Sequence, residues 1–307
     1  MQNTIYIIGH KSPDLDSIAA AVSYAYLKNK IDPENKYIAA RAGEANMETK
    51  YVFEKFDVEL PEILNDVAGK KIILVDHNVK EEFVGNMEEV EIIEIIDHHK
   101  VKFEYKSPIF IHIEPIGSTC TILAKMFEKN NAAIPKDLAG IMLSAALIDT
   151  VITKSPTCAQ DDVEIIKKLS EAVGVDYTDF GIELFKIRSN VKSLPATEIL
   201  LSDQKDFDIN GKKFSISQVE TVDLSEFSEL TDKLFEAIKK KKEEDAYHTV
   251  ILFITDILNK GSRFLVVSDE PEKFEKTFGR KLENNECFID GIMSRKKQVV
   301  PPLLENF

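Results

Sequence analysis

Short apolar runs alternate with amphipathic helical patterns in the first part of the chain, and this alternation constrains the fold more than any other feature. Runs of strand length, rich in Ile, Val and aromatic residues, occupy residues 4–8, 36–40, 71–75, 91–96 and 109–113. Helical patterns separate the early runs, at residues 17–30 and 45–56. Apolar runs separated by amphipathic helices indicate a parallel sheet with helices on both faces. We therefore predict an α/β fold.

The character of the sequence changes after this sheet. Helical patterns alone follow at residues 118–130, 137–149 and 161–173. A stretch with Ser, Asn and Pro then interrupts the periodicity, which is typical of a linker. Beyond the linker we predict a hairpin around Asn210-Gly211, a helix and two more strands; these elements cover residues 206–222, 223–242, 249–258 and 262–269.

The length of 307 residues fits two domains at about 150 residues each. We assign residues 1–188 to a first α/β domain, residues 189–196 to the linker and residues 197–307 to a smaller α/β domain.

Composition excludes several classes of function. The chain has 39 Lys and Arg against 53 Asp and Glu, a formal charge of −14. A strongly negative protein is poorly suited to nucleic acid or anionic membranes, since both attract positive surfaces. The N-terminus lacks the pattern of a signal peptide, and no apolar run is long enough to span a bilayer. We expect a cytoplasmic protein that binds neither nucleic acid nor membranes.

Acidic and imidazole side chains follow three of the predicted strands. His10, Asp14 and Asp16 come after the first run, Asp76 follows the third, and the triplet at residues 97–99 (Asp-His-His) follows the fourth. In an open α/β sheet, ligands bind beyond the carboxyl ends of the strands. Mixed carboxylate and imidazole ligands suit Mn, Co or Zn, whereas Mg alone would favour oxygen ligands. The pattern predicts a metal site.

Each of these residues also has an ordinary structural explanation. Asp14 and Asp16 could be the cap and first-turn acids of the following helix. Asp76 could be a loop acid. Asp149 ends a helix that is almost wholly apolar, where a buried carboxylate needs a partner. That partner could be a metal, or else Thr150 and backbone donors.

Taken together, these motifs resemble the ordered motifs of the DHH phosphoesterase superfamily. The resemblance rests on His10, on Asp14 and Asp16, on Asp76, on the triplet Asp97-His98-His99 and on Asp149. Near the end of the chain, Ser294-Arg295-Lys296 resembles the signature of the family II, manganese-dependent inorganic pyrophosphatases. The glycine-rich Gly-Gly-His element of nuclease relatives is absent from the sequence.

The resemblance implies two Mn²⁺ or Co²⁺ ions per subunit, with additional Mg²⁺ arriving with the substrate. It implies that one metal is held by His10, Asp14 and Asp76. It implies that the second is held by Asp16, Asp76, His98 and Asp149, so that Asp76 bridges the pair.

The same resemblance implies an activity, which is hydrolysis of pyrophosphate to two phosphates by a hydroxide that bridges the two metals. Asp76 and His99 would act in catalysis. His99, Lys205, Arg295 and Lys296 would bind the substrate in a cleft between a DHH domain and the C-terminal domain. A homodimer formed through the N-terminal domain is also expected.

Alternatives remain open from the sequence. An exopolyphosphatase acting on short polyphosphates would share both kinds of domain. A metal or nucleotide sensor could keep the fold without catalysis. Without the resemblance, the basic residues from Arg295 to Lys297 would be interpreted as a solvated surface patch.

Overall fold

The computed structural model describes residues 3–189 and 191–307, which divide into two compact units, Met1–Ile187 and Arg188–Phe307. Asn190, in the predicted linker, lies outside the described residues, as do the first two residues of the predicted N-terminal domain. The α/β class predicted from the sequence is confirmed, with a five-stranded parallel sheet in the first unit and a five-stranded mixed sheet in the second. The assignment of functions to residues 1–188, 189–196 and 197–307 stays a prediction.

The strands of the first unit lie close to the five apolar runs. They are β1 (Asn3–Ile8), β2 (Asn35–Ala40), β3 (Lys71–Val75), β4 (Glu91–Asp97) and β5 (Phe110–Ile113). The helices are α1 (Leu15–Ile31), α2 (Met47–Lys55), α3 (Thr119–Lys129), α4 (Lys136–Asp149), α5 (Gln160–Val173) and α6 (Tyr177–Ser189). Helix α6 was not predicted from the sequence.

The strand order of the first sheet, β2-β1-β3-β4-β5, determines where a ligand can bind. The chain leaves β1 through α1 to form β2 on one side, and then returns to form β3 on the other side of β1. Ligands of doubly wound sheets bind at this reversal, in the crevice beyond the carboxyl ends of the strands. In this chain the reversal lies between β1 and β3.

The two faces of this sheet are covered differently. Helices α1 and α3 pack against strands of the sheet. The face that carries Ile72 and Leu74 instead buries a cluster with Val67, Phe83 and Met87. The latter three residues belong to connecting segments whose only helical turns, within the described residues, are short 3₁₀ turns at Lys80–Glu82 and Met87–Glu89.

The second unit is built on a central strand that is buried along its whole length, β8 (Thr249–Asp256). The other strands are β6 (Gln204–Ile209), β7 (Lys212–Thr221), β9 (Gly261–Ser268) and β10 (Glu286–Asp290), and the sheet order is β10-β9-β8-β7-β6. Only the β7–β8 pair is parallel among the described strands of this sheet. The predicted hairpin is present, with Asn210-Gly211 between β6 and β7.

The helices of the second unit differ in part from the prediction. They are α7 (Ala196–Leu201), α8 (Thr231–Glu244), α9 (Pro271–Phe278) and α10 (Val300–Asn306). The single helix predicted at residues 223–242 was wrong in its first third, since Leu224–Leu230 forms a 3₁₀ segment before α8. Arg295–Val299 forms one π-helical turn, a form often found at functional sites.

Among residues 3–189 and 191–307, the helices are too short or too polar for a transmembrane span.

Candidate metal centre

The carboxyl edge of the first sheet gathers side chains from the loops after β1, β3 and β4. The loop after β1 passes close to α1, where His10 N donates to Ser17 Oγ at 3.2 Å. A Cβ atom on Gly9 would lie 1.8 Å from that same oxygen, so only glycine permits this approach. Asp14 caps α1 by accepting a hydrogen bond from Ser17 N at 3.0 Å, as the structural explanation of the sequence predicted.

A first group of possible ligands consists of His10, Asp14 and Asp76, whose donor atoms all lie within 4.8 Å of one another. His10 Nε2 is 3.6 Å from Asp14 Oδ1 and 3.5 Å from Asp76 Oδ2. Asp76 directly follows β3 and has a φ of +61°, a left-handed conformation that Asp tolerates better than most residues. This conformation turns the chain at the end of the strand while Asp76 N still bonds to Ile96 O at 3.0 Å.

A second group consists of Asp16, His98 and Asp149, also within 4.8 Å of one another. The two groups adjoin at Asp76, whose Oδ1 is 3.4 Å from His98 Nε2. The structure thus brings together all six side chains that the sequence analysis named as metal ligands.

The backbone fixes the orientation of the His98 ring. Its Nδ1 lies 2.9 Å from the carbonyl oxygen of Ile116, which can only accept a hydrogen bond. Nδ1 must therefore carry a proton, and Nε2 is directed to the carboxylates, 3.4 Å from Asp76 Oδ1. A backbone partner of this kind is the usual support for a metal-binding histidine.

The carboxylates of the cluster are costly to hold without a cation. Burial and repulsion from Asp76 raise the pKa of Asp16 to about 6. Burial and repulsion from Asp16 raise the pKa of Asp149 well above its ordinary range. A divalent cation would remove both penalties, so these residues fit a metal.

Histidines and acids of the cluster also stabilise one another. Burial lowers the pKa of His10, but contacts with Asp14 and Asp76 outweigh burial and raise the pKa to about 10. Burial likewise lowers the pKa of His98, yet Asp76 and Asp16 raise it to about 9. A metal would have to displace these imidazole protons, as metal binding to histidine generally does.

His99 is directed differently from His98. Its side chain is 54% exposed, and its Nδ1 lies 2.9 Å from Asp97 Oδ1. Asp97 is fully buried and also accepts a hydrogen bond from Asn78 Nδ2 at 2.6 Å. Contact with Asp97 raises the pKa of His99, so more of its imidazole is protonated at a given pH.

The loop that leads into α3, with the first residues of that helix (116–120), supports the cluster and was not predicted from the sequence. Asp16 accepts hydrogen bonds from Ser118 Oγ at 2.8 Å, Thr119 N at 2.7 Å and Cys120 N at 3.0 Å. Thr119 Oγ1 donates to Asp76 Oδ1 at 3.0 Å. Together with the Ile116 carbonyl on His98, this loop touches three of the six side chains.

Asp162, at the start of α5, anchors that loop. It is fully buried and accepts hydrogen bonds from Gly117 N at 2.8 Å and Thr121 Oγ1 at 2.7 Å. It also accepts one from Ala159 N at 2.7 Å. The sequence offers no signal for this role, since an acid in the first turn of a helix is ordinary.

An unusual left-handed turn follows Asp149. Val151, Ile152 and Thr153 have φ angles of +49°, +51° and +65°. β-Branched residues rarely adopt this conformation, which costs about 1–2 kcal/mol per residue. Ile152 N donates a hydrogen bond to Leu147 O at 2.8 Å. The buried Ile152 side chain packs against Gly181, where an added Cβ atom would lie 2.7 Å from Ile152 Cγ1. These contacts hold the end of α4, and with it Asp149, in place.

The substrate-binding residues predicted in the second unit also lie together. Lys205, Arg295 and Lys296 line one cavity of about 420 Å³. Arg295 is 8% exposed, and it donates to the Asp203 carbonyl, to Asp203 Oδ1 at 3.0 Å and to Ile216 O at 3.2 Å. These bonds use two Nη1 hydrogens and one Nη2 hydrogen, which leaves Nε–H and one Nη2 hydrogen for a ligand.

Comparisons with known proteins decide the family. Residues 4–146 match the DHH family, N-terminal domain, and residues 182–306 match the DHHA2 domain. A manganese-dependent inorganic pyrophosphatase of Methanothrix thermoacetophila is 43% identical, over 100% of this chain and 99% of the relative. The one of Methanocaldococcus jannaschii is 42% identical over 97% of each chain. This chain belongs to the manganese-dependent inorganic pyrophosphatase family.

Solved structures agree with this membership. A crystal structure from Methanococcus jannaschii, assigned to the family II inorganic pyrophosphatases, is 42% identical with a TM-score of 0.62, and the match covers 98% of this chain and 99% of the other. An exopolyphosphatase-related protein of Bacteroides fragilis is 17% identical with a TM-score of 0.52, covering 99% and 92%. The second likeness shows a shared fold alone.

We expect Asp162→Ala to weaken Mn²⁺ binding even though Asp162 touches none of the proposed ligands. Loss of a group that orients metal ligands typically costs about 10–100-fold in metal affinity. Titration calorimetry of chelator-treated protein with Mn²⁺ measures this directly.

Glu94→Ala is the matched control, because Glu94 is another buried carboxylate of the first unit. Its partners are Tyr24 and Lys28, which lie on α1 away from the cluster. Both variants should lose stability, but only Asp162→Ala should lose Mn²⁺ affinity. Equal Mn²⁺ affinity in the two variants would contradict the anchoring role.

Proposed function

We propose that this chain hydrolyses inorganic pyrophosphate to two phosphates in a manganese-dependent reaction. The observation that carries the proposal is the cluster of two histidines and four aspartates at the carboxyl edge of the sheet. Full-length relatives of 42–43% identity that are named manganese-dependent inorganic pyrophosphatases support it.

In this proposal the cluster holds two Mn²⁺ ions, or two Co²⁺ ions, and a further Mg²⁺ arrives with the substrate. His10, Asp14 and Asp76 hold one ion. Asp76 is shared with the second, whose other ligands are Asp16, His98 and Asp149. When bound, two such ions lower the pKa of a shared water and neutralise charge on phosphate oxygens.

His99 is the proposed proton or hydrogen-bond donor to a phosphate oxygen. Asp97 occupies Nδ1, so Nε2–H of the protonated ring is available to the substrate. The contact with Asp97 favours that protonated form. An imidazole held in this way donates to an oxygen on which charge accumulates as the bridging bond breaks.

Lys205, Arg295 and Lys296 are proposed to clamp the substrate. Arg295 is oriented by Asp203 and the Ile216 carbonyl, so its remaining N–H groups present a fixed donor pair. The two lysines add positive charge to the same cavity. Fixed donors of this kind reduce the entropy lost when the phosphates are positioned for attack.

A homodimer formed through the first unit is part of the proposal. Edge strand β5 supports it, because Phe110 and Ile111 there are 55% and 45% exposed. Exposed apolar side chains on a sheet edge are typical of a surface that pairs with another chain.

Phosphate release from pyrophosphate tests the activity. Chelator-treated protein should hydrolyse pyrophosphate only after Mn²⁺ or Co²⁺ is restored, with Mg²⁺ supplied beside the substrate. Asp76→Asn should abolish this turnover, because Asp76 belongs to both ligand sets. Asp256→Asn replaces another buried aspartate, bonded to Asn259 in the second unit, and should retain turnover.

Full turnover by Asp76→Asn would contradict the metal assignment. Faster release from tripolyphosphate than from pyrophosphate would contradict the substrate and favour the exopolyphosphatase alternative.

Lys296 and its neighbour Lys297 give a second test, of the substrate clamp. Both are exposed, but only Lys296 lines the cavity with Lys205 and Arg295. Loss of a charged hydrogen bond to phosphate costs about 1.5–3 kcal/mol, so Lys296→Gln should lower kcat/KM roughly 10–100-fold. Lys297→Gln should leave kcat/KM within about threefold, since exposed charges contribute little. Steady-state kinetics that showed equal effects would refute the clamp.

A further inference from the structure

Two lysines of the first unit lie beside the metal cluster and have no ion-pair partner among the residues that the structure describes. Two cavities adjoin the cluster, of about 510 and 430 Å³, and share Asp14, Asp76, His99 and Lys100 as lining residues. Lys11 lines the larger one. Lys11 and Lys100 are the only lysine or arginine residues among the described residues that line these cavities.

The side chains of both lysines are available to a ligand. Both residues are exposed, and neither ammonium has a hydrogen-bond or salt-bridge partner in residues 3–189 and 191–307. Two other lysines nearby are instead paired with glutamates. Lys80 Nζ is 3.3 Å from Glu88 Oε1, and Lys102 Nζ is 3.5 Å from Glu81 Oε2.

The backbone of each lysine is nevertheless fixed. Lys11 N donates to Glu82 O at 2.8 Å. The Lys100 carbonyl accepts a hydrogen bond at 3.2 Å from Asn78, which is fully buried. Asn78 also binds Asp97, so it joins the loop after β3 to the loop after β4. Both lysine side chains therefore extend from fixed backbone at the edge of the metal cluster.

Charge explains why an anion would need them. The formal charge of the four carboxylates of the cluster cancels that of two divalent cations, and the whole chain carries −14. A substrate with several negative charges therefore gains little long-range attraction from the loaded cluster. Local cations restore this attraction, and they mainly raise the rate at which the substrate associates.

We propose that Lys11 and Lys100 form a cationic rim that captures the diphosphate substrate and holds one of its phosphate groups beside the metal cluster. The inference rests on the proposed function, since it assigns the rim to the same substrate. It adds a second set of phosphate contacts to those proposed for the second unit.

The test replaces each lysine by glutamine, singly and together. Lys102→Gln is the matched control, because Lys102 is exposed on the same loop as Lys100 but is paired with Glu81 and lines neither cavity. Pyrophosphate hydrolysis is followed from roughly 0.05 to 0.5 M ionic strength, over which screening of exposed charges increases strongly. Binding of inorganic phosphate to the Mn²⁺-loaded protein is measured by calorimetry.

The double variant should lower kcat/KM on the order of 10–100-fold at low ionic strength and flatten its salt dependence. Its kcat should stay within about threefold of wild type, its Mn²⁺ affinity should not fall, and its phosphate affinity should drop about tenfold. A double variant that matches Lys102→Gln in kcat/KM and phosphate affinity would overturn the rim.

The two proposals fail in distinguishable ways. Wild-type protein that releases no phosphate from pyrophosphate would refute the proposed function. The phosphate titration would still decide whether the rim binds phosphate anions. Wild-type turnover with an unaffected double variant would refute the rim alone.

Discussion

The concentration of carboxylates at one edge of a sheet is the constraint on which the first unit depends. Asp16 and Asp76 are almost completely buried, and Asp149 lies beside Asp16. Buried charges of one sign destabilise a fold unless cations or protons compensate them. The pKa values of Asp16, His10 and His98 are all raised, because protonation of these groups reduces the excess negative charge of the cluster. Divalent metal ions would compensate this charge, and the ligand groups already lie close enough together to bind them.

The fold supplies the geometry in two layers. Strand order places the ends of β1, β3 and β4 beside one another, and this brings His10, Asp76 and His98 to one crevice. Elements distant in sequence then restrict their freedom. The loop before α3 and the first residues of α3 bind Asp16 and orient His98, Asp162 anchors that loop, and a left-handed turn fixes the end of α4. The rigidity of the cluster therefore comes from parts of the chain that bear no ligand.

The ligand residues at the strand ends could be predicted from the sequence, but the elements that restrain them could not. The apolar runs predict the strands, and the Asp and His residues that could bind a metal follow those runs directly in the sequence. Ser118 and Thr119 carry no such signal, since Ser before a helix is an ordinary cap and their partner Asp16 is about a hundred residues away. The turn at Val151–Thr153 contradicts local preference outright, because β-branched residues favour extended backbone. In the second unit, the pairing of β6 with β7, on which Lys205 lies, agrees with the predicted hairpin, but the π-helical turn that brings Arg295 to the same cavity has no signal in the spacing of the sequence.

The central claim is that the cluster binds two manganese ions, and equilibrium dialysis of chelator-treated protein against Mn²⁺, with metal analysis, tests it most directly. We predict two ions per chain, and a free energy of unfolding that rises by about 2.7 kcal/mol for each site at a free Mn²⁺ concentration one hundred times its dissociation constant. Asp149→Asn should remove one ion and retain the other, because Asp149 belongs to one ligand group only. Protein that binds no Mn²⁺, or an Asp149→Asn variant that still binds two ions with unchanged affinity, would contradict the account.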